Sequence, residues 1–203
     1  MNIPDKYEAE ATELRWRDAW QGQDLYKWDP TRGREDTFAV DTPPPTVSGS
    51  LHLGHIFSYS HQDFIARYQR MRGKTIFFPM GWDDNGLPTE RRVQNLLNVR
   101  CEPGVPYDAN LKVERVEGKP KDAPRAISRK NFVDLCDLVV KDDEKVFKSL
   151  WTRMGMSYDW EQEYATINAH CRRMSQISFL DLLEKNEVYQ DERPVLWDVD
   201  FKT

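Results

Sequence analysis

Hydrophobic positions along this chain come partly in short continuous runs and partly at three-to-four-residue spacing, and the alternation sketches a mixed α/β order. Tyr7 to Gln21 carries Tyr7, Ala11, Leu14, Trp16 and Trp20 with charges between them, which predicts an amphipathic helix ahead of the first strand. T-F-A-V-D (37–41) reads as a short strand. Leu53, Ile56, Phe57, Phe64, Tyr68 and Met71 then recur at helical spacing, and T-I-F-F-P-M (75–80) is short and aromatic enough for a buried strand. Strand, helix and strand in this order predict a right-handed parallel βαβ unit.

Further along, R-R-V-Q-N-L-L (91–97) predicts another helix. Residues 99–126 hold Pro103, Pro106, Pro120 and Pro124 with few apolar positions, so they read as a long loop, functional or mobile. Two more helical patterns follow: 131–150, with Phe132, Leu135, Val139, Val146 and Phe147, and 169–186, with Met174, Ile177, Leu180 and Leu183. V-Y-Q (188–190) and V-L-W-D-V-D-F (195–201) are strand-like.

A length of 203 residues suits one sizeable core or a core plus a small appendage. No apolar run reaches the length of a membrane span, and M-N-I-P-D-K-Y has neither a basic flank nor an apolar stretch. A cytoplasmic location away from membranes is the default expectation. The net charge of -5 argues against a surface that binds nucleic acid throughout, although Arg67, Arg70, Arg72, Lys74, Arg91 and Arg92 could form a local basic patch. Cys101, Cys136 and Cys171 form no C-x-x-C pair, so neither a zinc site nor a disulfide framework is expected.

The candidate chemistry begins at P-P-P-T-V-S-G-S-L-H-L-G-H (43–55), which joins a strand end to a helix start. Unpaired N–H groups and the positive dipole end at such a start favour a phosphate. Gly49 and Gly54 remove side chains where a nucleotide would approach, and His52 and His55, three apart, share a helix face. Asp83 follows the second apolar run at the strand end where ligands bind in open parallel sheets, but D-D-N-G is also turn chemistry, to which Asp84 and Asn85 are assigned. Trp82 could stack on substrate or fill core. His61 reads as structural.

H-L-G-H (52–55) resembles the nucleotide-binding signature of class I aminoacyl-tRNA synthetases, and G-W-D-D-N-G-L-P-T-E (81–90) is similar to the next block of that family. The triple proline, S-G-S-L and D-N-G-L-P-T-E-R-R-V narrow the resemblance to the valyl-tRNA synthetases. It extends from about Tyr7 through S-R-K-N-F, L-W-T-R-M-G-M-S-Y-D-W and L-W-D-V-D-F-K-T. The implied fold is α/β: the first half of a Rossmann-like parallel-sheet nucleotide-binding domain with an N-terminal helical appendage. The implied boundaries are 1–36 for the appendage, 37–195 for the half-domain, and 196–203 for the approach to an editing insertion. A valine pocket cannot strongly reject threonine, so a hydrolytic editing site is needed in such enzymes.

The resemblance implies activation of valine by ATP and transfer to tRNA(Val) in a longer enzyme. His52 and His55 would be catalytic, acting on the α-phosphate as hydrogen-bond donors and, if protonated, as cations. Gly49, Gly54 and Gly81 would join them in binding ATP. Asp83 would hold the substrate ammonium, and Pro43, Pro44 and Thr46 would line the valine side-chain pocket. Thr46 stands where many valyl enzymes have asparagine. ATP with magnesium is the implied cosubstrate, with no tightly bound cofactor and no protein-held metal. No K-M-S-K-S-like segment occurs in these residues, so the chain reads as an N-terminal part that a C-terminal portion could complement. An isoleucine or leucine enzyme, a stand-alone H-x-G-H nucleotidyltransferase and a non-catalytic nucleotide-binding module remain open at this point.

Overall fold

The structure, a computed structural model, describes residues 6–48, 51–118 and 122–199. Its organising unit is a parallel pair, β1 (Thr37–Ala39) with β2 (Thr75–Phe77), in which Phe38 lies opposite Ile76. Parallel neighbours need a crossover, and α2 (Leu53–Met71) supplies it. The remaining strands also pair in parallel: β3 (Gly81–Trp82) with β6 (Tyr164–Ala165), and β4 (Val99–Cys101) with β5 (Arg125–Ile127). This mixture of helices and parallel strands is the Rossmann-like α/β class that the strand–helix–strand order predicts.

Two apolar clusters share one long helix, α4 (Arg129–Arg153). Val140, Phe147 and Trp151 enter the cluster that holds Ile76, Phe78 and Trp82, whereas Phe132 and Val139 enter the one that holds Val93, Val99 and Ile127. Ser128 starts this helix, its Oγ accepting the Asn131 N–H at 3.1 Å. Between β3 and β4, α3 (Leu87–Leu97) begins after Gly86 at φ 96° and stops at Asn98, whose φ of 48° ends the helix in the left-handed region. The N-terminal helix α1 (Ala9–Gly22) buries none of its residues, and its Trp20 lies under the Arg67 guanidinium of α2. Residues 168–203 form a second compact unit containing α5 (Ala169–Glu184), capped by Asn168, whose side chain accepts the Cys171 N–H at 2.8 Å.

Several expectations change. The periodic residues Leu53, Phe57, Phe64, Tyr68 and Met71 of α2 face outward, and the buried face is instead Tyr59, Asp63 and Ala66. Asp63 is tolerated inside because Arg67 meets it at 2.6 Å and the Ser157 N–H donates to its second oxygen at 2.8 Å. The 99–126 loop is bracketed by β4 and β5, and the Val116 N–H donates to the Leu96 carbonyl at 2.8 Å. Residues 188–190 and 195–199 carry no strand among the described residues; 200 and 201 lie outside the described residues. Met174, Ile177, Leu180 and Leu183 are all exposed.

Four of the six basic residues singled out by the sequence, Arg67, Arg70, Lys74 and Arg92, are engaged within the fold. Arg67 holds Asp63 and the Gly155 carbonyl, Arg92 forks onto Asp143 from α3 to α4, Lys74 reaches the Glu35 carbonyl, and Arg70 lies over the Tyr26 ring. Trp82 is core: it is 1% exposed and its Nε1–H donates to Glu163 at 2.8 Å. Asp84 is no exposed turn residue either. It is buried, with one carboxyl oxygen unpartnered, and it shares a hydrogen bond with Glu144. Burial first, then that bond and the Glu144 charge, pushes its pKa up to about 7, with Asp83 and Asp137 adding to the rise.

Two outcomes follow for stability. An acid raised to about 7 by folding binds its proton more tightly folded than unfolded, so stability falls as pH rises from the ordinary carboxylate range near 3.8 toward 7. Urea unfolding at pH 5 and pH 8 is expected to show Asp84→Asn less sensitive to pH than the wild type; equal sensitivity would refute this account. A Cβ added at Gly81 would overlap the Tyr164 ring, while at Gly22 it meets nothing within 4 Å. Gly81→Ala is therefore expected to cost about 1–3 kcal/mol and Gly22→Ala little, read from thermal midpoints.

Candidate functional site

The first turn of α2 leaves backbone N–H groups without helical partners, and the two histidines take up two N–H groups at this end. His52 is the N-cap residue, extended at φ -113° and ψ 170°, and its Nδ1 accepts the Gly54 N–H at 3.1 Å. His55 Nδ1 accepts the His52 N–H at 3.3 Å, which closes a reciprocal capping box. The rings lie 4.0 Å apart between centroids, inclined at 36°. Gly54 allows this, since a Cβ there would come within 3.0 Å of the His52 ring.

Because Nδ1 of each ring is an acceptor, each neutral imidazole carries its proton on Nε2. The capping role and a donor role therefore use different nitrogens. His52 is exposed; His55 is half-buried, and burial, followed by the charge of His52, lowers its pKa below the usual 6.5. This shift favours the neutral His55 ring at neutral pH over the cation that the sequence left open. Its ring stands 6.4 Å from Tyr59 and 6.3 Å from Phe147.

The segment before α2 is tied on three sides. The Tyr59 hydroxyl of α2 donates to the Pro43 carbonyl at 2.7 Å, and the Thr89 hydroxyl of α3 donates to the Val47 carbonyl at 3.4 Å. Toward β3, the Asp83 N–H donates to the Pro45 carbonyl at 3.0 Å, and the Val47 N–H donates to the Asp83 carbonyl at 2.9 Å. Thr46 and Asp83 form an isolated parallel bridge, and the Thr46 hydroxyl donates to Asp83 Oδ2 at 2.9 Å. Thr46 and Asp83 thus meet directly, as do His52 and His55.

Pro43 is exposed and Pro44 half-buried at the start of this segment. Gly81 is buried, and its missing side chain makes room for the Tyr164 ring. Gly49 lies outside the described residues. His61 is exposed, its ring edge-on to Phe57 at 4.4 Å. Sequence reading missed Tyr59, although it lies seven positions after His52 on one helical face, and missed Thr89, whose hydroxyl no pattern singles out. A cavity of about 390 Å³ lies elsewhere, among Trp20, Tyr26, Lys148, Met156, Tyr158 and Trp160, and touches none of these residues.

Comparison with known proteins converges on one family. Residues 15–105 and 101–203 match the family described as tRNA synthetases class I (I, L, M and V). The chain is 52% identical to the valine–tRNA ligase of Thermobifida fusca (strain YX) over 203 residues, covering 100% of this chain and 23% of that protein. It is 52% identical to that of Bifidobacterium longum (strain NCC 2705), covering 99% and 22%, and 48% identical to that of Tropheryma whipplei (strain Twist), covering 100% and 24%. Among solved structures it is similar to the LeuRS of Agrobacterium radiobacter K84, from a ternary complex with tRNA and LeuAMS, at a TM-score of 0.72 and 26% identity, covering 97% of this chain and 21% of that one. The chain thus spans about a quarter of the length of its valine–tRNA ligase relatives and aligns with them almost from end to end, and with parallel strands leading to a histidine-capped helix it belongs to the class I tRNA synthetases of the I, L, M and V group.

Proposed function

We propose that this chain is the N-terminal catalytic part of a cytoplasmic valine–tRNA ligase. In the complete enzyme a valine carboxylate oxygen attacks the α-phosphorus of ATP, the bond to pyrophosphate breaks, and a tRNA(Val) ribose hydroxyl then takes the valyl group from AMP. Magnesium enters with the ATP phosphates as part of the substrate. The observation that carries this reading is the division of labour in His52 and His55, whose Nδ1 atoms close the helix end and leave Nε2–H groups to donate. Donors fixed beside a helix N-terminus favour the charge that builds on the phosphorus oxygens as pyrophosphate departs.

Asp83 is assigned the substrate ammonium, with Pro43, Pro44 and Thr46 as the wall of the side-chain pocket. Prolines make that wall rigid, which suits a pocket that must exclude side chains longer than valine. Gly54, and Gly49 beyond the described residues, are assigned to the nucleotide approach. Among the described residues no helix is long and apolar enough to cross a membrane. The valine choice is supported by relatives near 50% identity that are valine–tRNA ligases.

Pyrophosphate exchange across valine, isoleucine, leucine and threonine tests the assignment. The 203-residue chain alone is expected to bind ATP or valine weakly and to exchange little; joined to a C-terminal portion, it should exchange most strongly with valine. His52→Ala in the joined form should lower the rate about a hundred- to a thousandfold, or about 2.7–4 kcal/mol. A preference for isoleucine or leucine, or a His52 variant with full activity, would contradict the proposal.

The capping geometry has its own pH signature. His55 has a folded pKa below 6.5, so its contribution is complete above 6.5 and is lost as pH falls through the folded value, when Nδ1 gains a proton and stops accepting. Hydrogen exchange of the His52 amide should therefore quicken, relative to amides deep in α2, as pH drops below about 6.5. Unchanged relative protection down to pH 4.5 would argue against the cap.

A further inference from the structure

We infer that Thr46 is the positioning residue for the Asp83 carboxylate: its hydroxyl holds Oδ2 and so aims Oδ1 at the ammonium group of the amino-acid substrate. This rests on the assignment of Asp83 to that ammonium and adds the part that orients it. Asp83 stands just past the end of the two-residue strand β3, where a carboxylate on a free loop would turn about both its side-chain torsions. Three hydrogen bonds from one three-residue segment prevent that. Pro45 and Val47 tie the Asp83 backbone N–H and carbonyl at 3.0 and 2.9 Å, and Thr46 between them ties the side chain at 2.9 Å.

The chemistry of the tie favours threonine. A hydroxyl donor to a carboxylate is charge-assisted, and a β-branched side chain is stiff about its first torsion, so the donor is placed with little freedom. The segment that carries it is itself fixed, since Tyr59 and Thr89 bond the carbonyls of Pro43 and Val47. An ammonium ion gains most from a carboxylate whose plane is set before binding, because the cost of ordering it has been met in folding. Thr46 therefore acts through Asp83 and not by touching the substrate charge itself. An asparagine at this position would keep an N–H donor, whereas valine keeps the threonine shape and loses the donor.

The test is a binding titration on the 203-residue chain by ligand-observed NMR, with valine, 3-methylbutanoate (the same skeleton without the amine) and ATP, for the wild type and for Thr46→Val, Thr46→Ser and Thr46→Asn. Thr46→Val should weaken valine about tenfold and 3-methylbutanoate, which meets only the pocket wall, several-fold less, with ATP unchanged; serine and asparagine should restore most of the valine affinity. Equal valine binding by Thr46→Val and Thr46→Ser would overturn the role given to Thr46 and leave Asp83 standing. Equal loss of valine and 3-methylbutanoate would mark a structural effect and overturn it as well. If the wild type fails to bind valine, or binds it no better than 3-methylbutanoate, the ammonium assignment of Asp83 fails, and with it both this inference and the amino-acid half of the proposed function.

Discussion

A helix that begins at the proposed phosphate site must satisfy its first N–H groups without blocking that site, and in α2 the imidazoles of His52 and His55 cap the helix through Nδ1 and leave their other ring edge free for such a role. An imidazole has two nitrogens on opposite edges of its ring, so one can accept from the backbone while the other points away. A serine or aspartate cap would satisfy the helix equally well, but its oxygen would offer no N–H to a phosphate. The arrangement needs Gly54, because the His52 ring lies against the backbone where a side chain would stand. The H-L-G-H spacing is thus a consequence of cap geometry as much as of chemistry, since position three after the cap is where a reciprocal bond can close.

The segment from Pro43 to Val47 connects this helix end to the rest of the fold. Irregular backbone beneath a site needs partners for its polar groups, and a run of prolines lowers the demand because proline has no N–H to satisfy. The carbonyls of Pro43, Pro45 and Val47 each accept a bond, from Tyr59, Asp83 and Thr89 respectively. Three elements, α2, β3 and α3, are thereby referred to one short stretch of chain.

The order of elements was legible in the sequence because short aromatic runs and long periodic ones differ in length, and β1, α2 and β2 fall where those runs fall. The face of α2 was not. Its outward residues Leu53, Phe57, Phe64 and Met71 are as apolar as any core stripe, and its inner face hides an aspartate whose partners, Arg67 and Ser157, cannot be paired by reading along the chain. For the same reason the pairing of Arg92 with Asp143, 51 residues apart, cannot be read along the chain. Of the site, the two histidines could be found by spacing and Asp83 by its place after a strand, but the Thr46 hydroxyl bond depends on a parallel bridge that pattern alone does not reveal. The strands β4 and β5 are three residues each, too short for periodicity to register.

These pairings bear on how the site handles negative charge. With Arg67 spent on Asp63, Arg92 on Asp143 and His55 disposed to be neutral, the α2 end of the site offers oriented dipoles and not a basic surface. A fixed cation attracts ATP in its ground state nearly as well as in its transition state, which tightens binding without speeding the step. Neutral donors aimed at one place favour the state in which charge is gathered there, and they need no reorganisation when it forms. The acids around Asp84 add to this: Asp83, Asp137 and Glu144 gather negative charge near β3, which suits the ammonium group proposed for Asp83. The segment from Pro43 to Val47 bonds to Asp83 and leads into α2, so a carboxylate and a helix start lie at its two ends, the separation of charge that the proposed joining of an amino acid to a nucleotide calls for.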